Sequence, residues 1–137
     1  MNKTKQERME TVNKLVVKIS SLSRRFFYYE KEQRVAKFIF KSNRLYWVDE
    51  YTQRAMYAYG YKYLDRYFSN GGTLRALVLD FSHYIRTGEQ SNGKNGYGGL
   101  HAYAWGYPLN DQKEIIAYAK EIGYLDETFS DEPYRMN

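Results

Sequence analysis

The chain contains no cysteine, which excludes disulfides and thiolate metal sites outright. It has two histidines, His83 and His101, and neither stands in a His-Glu-x-x-His or comparable metal-ligand spacing. No uncharged apolar run is long enough to span a bilayer. The start, MNKTKQERMETVNK, is polar, and no apolar segment of signal-peptide length follows it. Signatures of RNA-recognition motifs are missing, and so is the Gly-Lys-Ser/Thr ending of a phosphate-binding loop. These absences predict a cytoplasmic protein with no membrane contact, no metal and no cofactor. At 137 residues the chain is one domain by length, 1–137, able to bury a core without staples.

Tyrosine and basic residues are abundant. Nine of the sixteen tyrosines fall between Arg24 and Phe68, interleaved with ten basic and five acidic residues. Flat rings that stack and cations that neutralise phosphate are what single-stranded nucleic-acid binding requires. Tyrosine and arginine also anchor protein–protein interfaces. Charge is unevenly spread: residues 1–99 carry +9 and residues 100–137 carry −4, which makes up the net +5. Such a chain steers an acidic partner toward one face while its tail repels it or relieves the basic face.

Periodicity predicts an α+β domain: an N-terminal helix, an antiparallel sheet of four to five strands, and two C-terminal helices packed on it. The first helix runs over 5–22. Thr4 and Glu7 have capping-box spacing, and Met9, Val12, Leu15, Val16, Ile19 and Leu22 form its apolar stripe. That stripe serves either docking on the sheet or a homodimer through this helix. From Arg25 to Phe68 the period is two. Phe26–Glu30 with Arg34–Phe40, and Arg44–Val48 with Arg54–Tyr59, read as hairpins. Along the last strand, Arg54, Met56 and Ala58 oppose Ala55, Tyr57 and Tyr59. Which face is wet depends on register. Gly60–Phe68 reads as a further strand or a loop.

A second helix is expected over 73–86, capped by Thr73, with Arg75, Asp80, Ser82, His83 and Arg86 on its polar side and Gly88 as stop. Residues 87–99 read as a mobile glycine-rich loop, and Leu100–Pro108 as an edge strand returning to the core. Asn110 is expected to cap a last helix over 110–122, followed by an acidic tail, 126–137.

Four candidate sites follow. Bases would stack on Tyr46, Tyr57 or Tyr59, with Arg44, Arg54, Lys62 and Arg66 on the backbone. Gly71, Gly72 and Thr73 at a helix start, with Arg75 one turn in and Arg66 just upstream, form a candidate anion seat. Lys94 and Tyr97 are the loop residues expected to touch a ligand. His83 and His101 are candidates for an acid–base pair. In general composition the chain resembles accessory proteins of phages and plasmids, including inhibitors of host nucleic-acid-targeting defences; the resemblance transfers no residues. The leading expectation is a non-catalytic protein that binds nucleic acid or a nucleoprotein complex through the tyrosine–arginine face. Beside it stand an inhibitor or adaptor that grips a protein target with the same aromatics, and a small metal-independent ribonuclease using the two histidines.

Overall fold

In the computed structural model, residues 3–64, 67–89, 100 and 107–128 are described. Helix α1 (Lys5–Ser20) starts where the capping box requires: Thr4 Oγ1 accepts from Glu7 N at 3.1 Å, and Thr4 N donates to Glu7 Oε1 at 2.9 Å. It ends two residues earlier than its apolar stripe suggested. The hydroxyls of Ser20 and Ser21 turn back onto the carbonyls of Val17 and Lys18, at 2.7 Å each, which competes with continued helix.

Five strands follow, and they divide between two antiparallel sheets. Strands β1 (Tyr28–Tyr29) and β2 (Arg34–Val35) form a two-stranded ribbon; β3 (Lys37–Lys41), β4 (Arg44–Val48) and β5 (Ala55–Tyr57) form a meander in that order. Alternation alone had suggested longer strands over Phe26–Glu30 and Arg34–Phe40. The first is cut short because Phe27 adopts φ 64° and drives its ring into the core. The second breaks at the buried Ala36, whose N–H leaves the ladder to reach the Phe27 carbonyl at 2.9 Å. Between β3 and β4, Ser42 and Asn43 both have positive φ, the two-residue turn whose twist matches that of the strands.

One face of the meander is apolar. Phe38, Leu45, Trp47 and Met56 are buried, and the register sets Trp47 between Phe38 and Met56. Trp47 meets Phe27 and Phe38 edge-on at 5.2 and 4.9 Å. The stripe of α1 packs on this layer and on the two long C-terminal helices. It is therefore spent inside the fold, and a second copy would have to use the exposed side of α1 around Val17. At the free edge of β3 the Asn13 amide takes the place of a neighbouring strand. It accepts from Phe38 N at 2.8 Å and donates to Phe38 O at 3.0 Å, which blunts the edge against further pairing.

Tyr61–Leu64 is a short helix, α2, resolving the strand-or-loop ambiguity. Helix α3 (Gly72–Thr87) is capped at Gly71, and Thr73 lies inside its first turn; Gly88, at φ 80°, ends it. Two residues expected on its wet face are buried: Asp80 accepts from Tyr124 Oη at 3.4 Å, and Ser82 donates to the Ala58 carbonyl. Helix α4 (Leu109–Glu121) begins after Pro108, where Asn110 had been expected to cap. The Pro108 carbonyl already takes the Gln112 amide at 3.0 Å. Gly123 at φ 88° closes α4: its amide reaches Lys120 O, and the Tyr124 amide reaches Ala119 O, the left-handed stop that favours glycine. Leu100 and Tyr107 are buried, so both ends of the expected returning strand reach the core. The segments 90–99, 101–106 and 129–137, which include most of the expected glycine loop and acidic tail, lie outside the described residues.

Candidate nucleic-acid interface

Strand register decides which tyrosines face solvent. With Trp47 inward, Tyr46 and its cross-strand partners Ile39 and Tyr57 turn outward, along with Lys37, Lys41, Arg44, Val48 and Ala55. Strands β3, β4 and β5 contain no carboxylate. Tyr57 is the centre of the outer face. Tyr59 lies nearly parallel to it at 5.8 Å and 10°, Tyr63 meets it edge-on at 5.2 Å, and Tyr46 tilts against it at 5.9 Å. Tyr59 and Tyr63 remain 58% and 44% exposed.

Cations border these rings. The Arg44 guanidinium lies 5.9 Å from the Tyr57 ring, Lys62 Nζ 5.0 Å from Tyr63, and the Arg86 guanidinium 4.7 Å from Tyr59. Arg86 reaches the sheet through a short relay. Its Nε donates to Ser82 Oγ at 3.2 Å, and Ser82 donates in turn to the Ala58 carbonyl. Helix α3 thus delivers a cation to the ring two residues after Tyr57.

Of the residues expected to bind, Arg44, Tyr46, Tyr57, Tyr59 and Lys62 come together. Arg54 does not: its guanidinium packs on Tyr67 at 4.7 Å. Strand parity sets it opposite Tyr57, as the alternation of the strand already implied. Arg66 lies outside the described residues, as do Lys94, Tyr97 and His101. His83 is on the surface, its Nε2 3.1 Å from Glu89 Oε2. Tyr63 and Arg86 join the same cluster. Nothing local marks them, because both arrive by helix placement.

The candidate anion seat has a different neighbourhood. Gly71, Gly72 and Thr73 do open a helix, and Arg75 N binds the Gly71 carbonyl at 3.0 Å. Just upstream, however, two carboxylates are already installed. Asp49, fully buried, accepts from the amides of Tyr51, Thr52 and Ser69, and Glu50 accepts from Asn70 Nδ2 at 3.1 Å. Negative charge beside the helix start disfavours a further anion. The Ser69 hydroxyl lies 3.0 Å from Asp49 Oδ1 and 2.8 Å from Glu50 Oε2. A hydroxyl has one proton to give, so the second contact is best filled by a proton on a carboxyl group.

Burial, then the Asp49 charge, raises the Glu50 carboxyl above the usual glutamate range, against the opposing pull of Ser69 and Asn70. The folded state therefore holds this proton more tightly than the unfolded state. Its stabilisation is complete below the ordinary glutamate range and is lost as pH rises through the raised value. Glu50→Gln should keep the Asn70 bond and remove that loss. Urea midpoints measured between about pH 4 and pH 8 should fall less for the variant than for the wild type. Parallel profiles would refute the shift.

Among the described residues there is no group of three or more His, Cys, Asp or Glu side chains placed to hold a metal ion. No helix among them is long and apolar enough to cross a membrane. No solved structure matches the chain. The chain is 35% identical over 139 residues to the SPbeta prophage-derived uncharacterized protein YoqU of Bacillus subtilis (strain 168), covering 99% of this chain and 94% of that protein. The YoqU family model matches residues 2–137, so the whole of the tyrosine–cation face lies within the match and the chain belongs to the YoqU family.

Proposed function

We propose that this member of a phage-derived family is a non-catalytic accessory protein that binds nucleic acid, free or within a nucleoprotein complex. One observation carries the reading. Strands free of carboxylates carry the half-buried Tyr46 and Tyr57, and the exposed Tyr59 and Tyr63 pack beside them from the turn after β5 and from α2. Arg44, Lys62 and Arg86 lie against the rings of Tyr57, Tyr63 and Tyr59. Lys37 and Lys41 extend the same positive field along β3, and a field of one sign draws in polyanions. No catalytic group is assigned, and His83 is engaged with Glu89.

Fluorescence polarisation with a labelled 20-nucleotide single strand tests this. Binding in the micromolar range or tighter is expected, weakening steeply with salt. Five neutralised phosphates give a log–log slope of about −3 to −4. No binding at low salt would reject the reading.

A protein target is the second reading. The mutual packing of Tyr46, Tyr57, Tyr59 and Tyr63 favours it, since rings held in place offer contact area at little entropic cost. An interface of that kind would weaken far less with salt than the slope above.

A further inference from the structure

If the face binds nucleic acid, as the preceding reading holds, ring geometry indicates which part of the polymer it reads. A base can stack only where a ring has a free face. Tyr57 has none to spare: Tyr46, Tyr59, Tyr63 and Arg44 surround it within 5.9 Å. Tyr59 is more open, yet it carries Arg86 at 4.7 Å in addition to its parallel neighbour. Lys62 lies over Tyr63. Every ring of the cluster thus has another ring or a cation against it, although Tyr59 and Tyr63 stay partly exposed.

What remains available is a set of donors. No hydrogen-bond partner engages the hydroxyls of Tyr46, Tyr57, Tyr59 and Tyr63 among the described residues. Phenol O–H, guanidinium N–H and ammonium groups all match phosphate oxygens, and such contacts position a protein without reading sequence. The cations also stand on two borders. Lys37, Lys41 and Arg44 lie on the β3–β4 side, and Lys62 and Arg86 on the helical side beyond β5. Two inter-strand spacings alone, about 10 Å, separate β3 from β5. A patch of that width can engage more than one phosphate at a time.

We infer that the face grips the sugar–phosphate backbone through its cations and phenol edges and takes up no unpaired base, so that duplex and single strands are both ligands. The test compares three labelled probes at low salt: a 20-nucleotide single strand, an abasic strand of equal length, and a 20-base-pair duplex. The abasic strand should bind within about threefold of the normal strand, and the duplex at least as tightly, because its charge density is higher. An abasic strand bound more than about threefold more weakly than the normal strand, or a duplex bound more weakly than the single strand, would overturn the inference and leave the nucleic-acid reading standing. Failure of all three probes would overturn both.

Discussion

Arg44→Glu combined with Arg86→Glu should lower affinity for a 20-nucleotide single strand by about a hundredfold at low salt, and should flatten the salt dependence. The expectation comes from position. Arg44 projects from the outer face of β4, and Arg86 reaches the same rings from α3 by way of Ser82 and the Ala58 carbonyl. Reversing both replaces two attractive centres with two repulsive ones at the heart of the patch. Arg54→Glu, compared with Arg44→Glu alone, is the charge-matched control. It changes net charge by the same amount, but its side chain lies over Tyr67, off the face, so at about 0.15 M salt its affinity should shift by no more than about threefold. Equal losses in these two single variants would mean that net charge and not this surface governs binding. Circular dichroism and urea midpoints would verify that the variants remain folded.

Trp47→Ala should destabilise the fold by about 3–5 kcal/mol, a large part of the roughly 5–15 kcal/mol that holds a domain of this size. Trp47 is fully buried and meets Phe27 and Phe38 edge-on. Truncating it would leave a cavity beneath the middle strand of the meander. Because its neighbours Tyr46 and Val48 turn outward, loosening this strand would also loosen the tyrosine face. Trp47→Phe provides the milder companion. Its indole Nε1 is buried with no hydrogen-bond partner among the described residues, so losing that donor removes an unmet polar group and offsets part of the lost volume. A cost below about 1.5 kcal/mol is expected for Phe, with nucleic-acid affinity unchanged. A similarly small cost for Ala would show that the inner layer collapses to fill the space.

The site was legible in proportion to how local its determinants are. Arg44, Tyr46, Tyr57 and Tyr59 could be nominated because period-two alternation groups them before any register is known. Charge alone favours Arg54 as a contact, but its parity sets it against Tyr57 and its guanidinium lies over Tyr67. Phe27 looked like an ordinary strand residue, yet it takes a left-handed backbone conformation because burying its ring against Trp47 outweighs the local preference. Thr73 and Asn110 had the side chains of good caps, but Gly71 and Pro108 occupy the cap positions. Packing set where those helices begin, and a cap preference of about 1 kcal/mol does not outweigh it.

By itself the sequence determined the elements whose causes lie within a few residues of each other. These are the capping box of α1, its apolar stripe, the glycine stops after α3 and α4, and the alternation that makes one face of the meander wet. It also determined that the outward positions of β3, β4 and β5 include tyrosines and cations, beside Ile39, Val48 and Ala55, and no carboxylate. Tertiary structure decided what is distant in sequence. It divided five strands between two sheets and turned Asp80 and Ser82 inward. It also carried Arg86 and Tyr63 to Tyr57 and Tyr59, and it placed Asp49 and Glu50 beside the start of α3. The reason is physical: alternation and capping act over neighbouring residues, whereas contacts between α3 and the sheet exist only once the core around Trp47 and Phe81 has closed.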